Sequence, residues 1–150
     1  MFSIRMALLS GIVAGSLFLS GCASVPMASA ERDAQAKSFA TDPAKSNIYI
    51  YRNESMGAAI KMPLVIDGKM AGDTAAKTYI LASVAPGVHS IISKTENDAT
   101  LQLTTAPGKN YFVWQEVKMG MWAARSQLHE VDDATGKKAV TECKLVYLEN

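Results

Sequence analysis

Two thioethers one residue apart, in Met119-Gly120-Met121-Trp122, form the least ordinary chemical pairing in this 150-residue chain. On a strand, side chains at i and i+2 share a face. Both sulfurs could therefore close on a soft ion such as Cu(I), with Trp122 as a cover. The competing reading makes methionine a gap filler in a β core and Gly120 a bulge or bend. Met119, Met121 and His89 are the weak metal-ligand candidates, and a zinc set of His89, His129 and Cys143 is another. None has the close spacing of a metal motif, so no cofactor is expected.

Nucleophilic catalysis needs a base beside a Ser, Thr or Cys and a third group to orient it. No nucleophile-elbow motif is present, and neither His89 nor His129 stands in a recognisable catalytic setting. The carboxylate pairs, Asp132-Asp133 and Glu96 with Asp98, fall in turn-forming sequence where such residues bond to local backbone. The expectation is a non-enzyme with no catalytic residues, and a hydrolase is the weak alternative. Tyr49 and Tyr51 alternate with Ile48 and Ile50, so each pair occupies one strand face. Together with Trp122 they are the candidate ligand or interface residues, suited to stacking on a glycan or to a protein contact. Buried packing is the competing reading.

Cys22 carries a different chemistry. It closes Leu19-Ser20-Gly21-Cys22, a run that resembles a bacterial lipobox. Ahead of it stand one positive residue, Arg5, and an apolar run from Met6 to Leu19 that is short of the ~20 residues a bilayer-spanning helix needs. The layout is that of a secretory leader over residues 1–21. It implies a thioether lipid on Cys22 and membrane attachment through acyl chains, each buried CH₂ adding ~0.8 kcal/mol. Ala23 and Ser24 follow the cysteine with no Asp, which resembles outer-membrane sorting with the domain facing the periplasm. Arg5 is the only charge in 1–21, so the remainder balances from the whole-chain net charge of +1. That balance argues against a nucleic-acid partner. With Cys22 acylated, Cys143 is left alone and is expected to be buried and inert.

Residues 22–45 are rich in Ala and Ser and read as a lipidated tether, with a short helix over 30–39. Their extended reach is at most about 80 Å. From residue 46 the pattern turns to short strands. Ile48 to Tyr51 is β-branched and aromatic, and Pro63 to Ile66 runs into Asp67-Gly68, a strong two-residue hairpin signal. Further strands are expected over 69–73, 77–84, 88–95, 100–104, 111–117, 122–131 and 143–148, with a helical turn over 132–138. Turn residues recur at roughly ten-residue spacing, the pattern of an all-β sandwich or barrel of about seven to nine strands over 46–150.

The run Leu64-Val65-Ile66-Asp67-Gly68-Lys69 to Thr74, followed by Pro86-Gly87-x-His89-x-Ile91, resembles the PEGA type of extracytoplasmic β module. Across 46–150 the chain resembles a family of small bacterial lipoproteins sharing a domain of unknown function. Ile48 to Arg52, Asp67-Gly68, Gly108-Lys109-x-Tyr111-Phe112 and Gln115-Glu116 carry that likeness. The resemblance implies an immunoglobulin-like or transthyretin-like sandwich. The functional expectation is an adaptor or accessory domain contacting another envelope protein. The alternative is a periplasmic binding module for a glycan or a soft metal.

Overall fold

The structure, a computed structural model, describes residues 22–148. The expected leader over 1–21 lies outside them. No helix among the described residues is long and apolar enough to cross a membrane.

Among the described residues nine strands form in the order β1 (Ser46–Arg52), β2 (Met62–Ile66), β3 (Lys69–Thr74), β4 (Thr78–Val84), β5 (Gly87–Lys94), β6 (Asp98–Thr105), β7 (Lys109–Met119), β8 (Ala124–Val131) and β9 (Lys144–Leu145). Helix α1 (Ala30–Ala36) precedes them and α2 (Asp133–Thr141) lies between β8 and β9. The strands make two sheets, β8-β7-β1-β4-β9 and β3-β2-β5-β6. This is the expected all-β sandwich. Asp67 and Gly68 both take positive φ, 51° and 77°, as the tight turn between β2 and β3 requires.

Side-chain alternation on β1 explains the layering. Ile48 and Ile50 point into the sandwich with Leu64, Ile91, Leu103 and Val113. Tyr49 and Tyr51 point the other way, into a second cluster with Tyr79, Phe112, Ala36 and Val140. That second cluster is roofed by α1 and α2, so the five-stranded sheet is covered on both faces. Strand β1 pairs antiparallel with β4 and parallel with β7, and so sits centrally. A parallel pair in this module follows from neither composition nor turn spacing. Between the sheets, Thr74 Oγ1 donates to Gln115 Oε1. Gln115 Nε2 donates to Ser93 Oγ at 2.7 Å, and Ser126 Oγ donates to the same oxygen at 2.7 Å. A polar chain thereby joins the two sheets where an apolar residue would leave buried acceptors without partners.

Three expectations need correction. Residues 22–45 were expected to be free of the sandwich, yet Val25 and Ala36 are buried and Phe39 packs on Tyr49 and Phe112. Met27 bridges Val146, and Ala28 N donates to Leu145 O at 2.9 Å. Sparse apolar residues at useful positions outweigh an Ala/Ser composition that looks unstructured. The strand expected over 143–148 is reduced to Lys144–Leu145, because Cys143 N still bonds Val140 O at 3.0 Å in the last turn of α2. The polar stretch 132–138 opens a full nine-residue helix capped by Asp132, whose side chain accepts from Thr135 N.

Candidate functional site

One end of the sandwich collects Cys22 and four exposed apolar side chains. Strands β1 and β7 run parallel and finish at this end, β1 into the loop over residues 53–61 and β7 into the hairpin turn before β8. Buried Arg52 organises the loop by donating to the carbonyls of Ile60 at 2.9 Å and Met56 at 3.1 Å, and to that of Gly57. Its Nε has no partner among the described residues. Burial pulls the guanidinium below its ordinary pKa, and the Glu54 carboxylate opposes that shift. Glu54 also accepts from Val117 N at 2.6 Å, which fixes the loop to β7. Ala23 N donates to Ala58 O at 2.8 Å, so the exposed Cys22 begins beside the same loop.

The hairpin tip is open to solvent. Met119, Met121 and Trp122 are 84, 76 and 89% exposed, and Met56 of the neighbouring loop is 55% exposed. The expectation that these methionines fill a core therefore fails. The strand expected from Trp122 starts instead at Ala124, since 120–123 turn the chain. The turn is nonetheless firmly held. Glu96, from the β5–β6 turn, accepts from Ala123 N at 2.8 Å and Trp122 N at 3.1 Å, and pairs with Arg125 Nη2 at 2.8 Å. Gly120 sits so close that a Cβ there would lie 1.9 Å from Ala123 O and 2.4 Å from Glu96 Oε2. Local sequence marks Glu96 only as a solvated turn residue. Its partners lie 26 to 29 residues away, a separation that short-range pattern does not report.

Those donors hold Glu96 well below the usual carboxylate range, at about 2, with the Ala123 and Trp122 amides the largest causes and Arg125 next. A carboxyl whose folded pKa is depressed keeps its bonds above its ordinary value and loses them as pH falls through the folded one. The tip is therefore expected to stay clamped down to about pH 2. Amide chemical shifts of Trp122 and Ala123 should titrate together there. A midpoint near the ordinary glutamate value would show that the clamp does not form.

The remaining candidates lie elsewhere. Tyr49 is buried with its hydroxyl donating to Ala36 O at 2.9 Å, and Tyr51 is buried beside α2. Burial pushes both phenols up to about 12. Neither tyrosine offers a face to a glycan, and neither meets Trp122. His89 is held at the opposite end of the sandwich, with Nδ1 2.6 Å from Asp67 Oδ2 and Nε2 2.8 Å from Ala85 O. It latches the Asp67-Gly68 turn, far from Met119 and Met121, so these three do not converge on an ion. His129 stacks on Trp114 and bonds Glu116 Oε2 at 2.8 Å. Among the described residues no three His, Cys, Asp or Glu side chains are gathered as for a metal. Asp33, unmarked in the sequence, fastens α1: it accepts from Tyr79 Oη at 2.9 Å, Leu145 N at 2.9 Å and Lys37 Nζ at 2.7 Å.

Cys143 is buried, its thiol 3.7 Å from Arg52 O, and burial pushes its pKa up to about 12. The thiolate is the reactive form, so an alkylating reagent should leave Cys143 unmodified in the native protein and modify it fully in denaturant. Equal labelling in both conditions would contradict this placement.

A protein of Haemophilus influenzae, itself described only as uncharacterized, is 36% identical over 138 residues, covering 91% of this chain and 82% of that one. No solved structure matches. The region of this chain that matches a family model, residues 42–127, spans β1 through the loop, the Glu96 turn and the hairpin tip into β8. On that match the chain belongs to the family described as a protein of unknown function, DUF2846.

Proposed function

We propose that the protein is a lipid-anchored, non-catalytic accessory domain of the bacterial envelope, seated at the periplasmic face of the outer membrane and contacting another envelope component. One observation carries this reading. The chain that follows Cys22 is fastened to the sandwich from Ala23 onward, through Ala58, buried Val25 and the Met27–Val146 bridge. A lipid on Cys22 then holds the domain against the bilayer, not at the end of a loose tether. The lipobox-like run to Cys22 supports the lipid, Ala23 and Ser24 support the outer-membrane address, and the PEGA-like run over 64–91 supports an extracytoplasmic setting.

The surface offered to a partner lies around the exposed Tyr147. Two clefts of about 340 and 460 Å³ flank it, one lined by Arg32, Gln35 and Leu81, the other by Pro26, Met70 and Asp73. The Arg32 guanidinium carbon stands 5.7 Å from the Tyr147 ring centre, which presents a cation and an aromatic face side by side. The test has two parts. Mass spectrometry of the purified protein should find acylated Cys22, and Cys22→Ser should leave the membrane fraction. A photoreactive residue replacing Tyr147 should give one dominant protein adduct in intact cells. A soluble, unacylated wild type would overturn the anchor, and a glycan adduct in place of a protein would replace the adaptor by a glycan-binding module.

A further inference from the structure

We infer that the hairpin tip over residues 119–122, together with Met56, dips into the lipid interface of the membrane that carries the Cys22 acyl chains, so that the domain stands end-on. This rests on the lipid anchor proposed above. The geometry points to lipid because anchor and apolar tip share one loop. Ala23 is bonded to Ala58. The adjoining Gly57 lies against Val117, to whose Cγ1 a Cβ on that glycine would come within 3.2 Å. Val117 is two residues before Met119 on β7. Acyl chains leaving Cys22 therefore enter the bilayer beside Met56, Met119, Met121 and Trp122.

The chemistry of the tip suits that place. Trp at an exposed turn matches the headgroup level, where an indole keeps its ring in apolar surroundings and its N–H wet. Flexible thioethers pack among irregular lipid chains as they do among irregular side chains. Directly below the tip come charged residues: Lys118 paired with Glu116, and Arg125 paired with Glu96. That is a sharp boundary between an apolar cap and a charged collar, suited to headgroups. Clamping by Glu96 also means that the tip is held in one conformation before it meets lipid, so little conformational freedom is lost on insertion.

The experiment uses the full, acylated chain reconstituted in vesicles of phosphatidylethanolamine and phosphatidylglycerol. Trp122 emission is isolated as the difference between wild type and Trp122→Phe. The expected result is a blue-shifted emission, quenched by a nitroxide on the upper acyl chain and shielded from aqueous iodide. The variant Met119→Ser/Met121→Ser, with both changes on exposed side chains, should lose the blue shift while staying acylated and folded. Acylated protein whose Trp122 is quenched by iodide as freely as in solution would overturn the inference and leave the anchor standing. Unacylated Cys22 would overturn both. A photoreactive residue replacing Trp122 should capture phospholipid in cells, and a dominant protein adduct there would also overturn it.

Discussion

Gly136→Ala should destabilise the domain by about 3 kcal/mol, the upper part of the overpacking range. The sign is the informative part. In an ordinary helix interior, alanine gains roughly 0.5–1 kcal/mol over glycine because it restricts the unfolded chain. Gly136 lies inside α2, where the helix rests directly on β7. A Cβ at this position would stand 2.1 Å from Phe112 Cγ and 2.3 Å from its Cβ. Phe112 cannot retreat: it is buried, stacked on Tyr49 at 5.1 Å, and in edge contact with Phe39. The helix must lift instead, exposing Ala139 and Val140. Denaturant unfolding of the Cys22→Ser protein would show a lower midpoint at unchanged slope. A stabilised Gly136→Ala would refute the close contact.

Arg52→Met should cost about 3 kcal/mol or more, since hydrogen bonds to a charged donor contribute roughly 1.5–3 kcal/mol each. Methionine fills much of the space but leaves the carbonyls of Met56 and Ile60 without the Arg52 donors, and that of Gly57 with Ile60 N alone. Burying a guanidinium is itself unfavourable, so a well-packed apolar replacement can sometimes be neutral. Here the acceptors stay behind, and they belong to the loop that also holds Ala23. Arg52→Lys should rescue only a fraction, because one ammonium cannot fork to three separated carbonyls. Hydrogen exchange at the Ala23 and Ile60 amides reports the loop directly, as these donate to Ala58 and Gly57. Unchanged protection in Arg52→Met would mean the loop is held by other contacts.

How much of this is written in local sequence varies element by element. Period-two alternation and turn residues mark the sandwich strands, and Asp67-Gly68 marks its hairpin to the residue. What local pattern does not encode is which sheet face carries a second layer. Tyr49 and Tyr51 are equally consistent with a ligand platform and with burial, and only the return of α1 and α2 over that face decides it. The same holds at the candidate site. Met119, Met121 and Trp122 are conspicuous as residue types, but their exposure follows from a turn forced by Gly120 and held by Glu96 across 26 or more residues. Arg52 sits in a strand of buried neighbours, and a charged residue at such a position is a legible sign of a special partner. Its partners, three backbone carbonyls, leave no mark in side-chain identity.

The closure of Met27 onto Val146 sets a constraint on how the molecule is made. The segments that meet are separated by nearly the whole chain, and the central β1–β7 pair joins Ser46 to Lys109. Contacts of such long sequence separation slow folding, because the loop must close before the pairing rewards it. A chain threaded through an export channel amino end first cannot complete its first segment until its last has emerged. If Cys22 carries the proposed lipid, it would thus be presented to a modifying enzyme while the chain behind it is still unfolded, and the finished domain would settle against the membrane only afterwards.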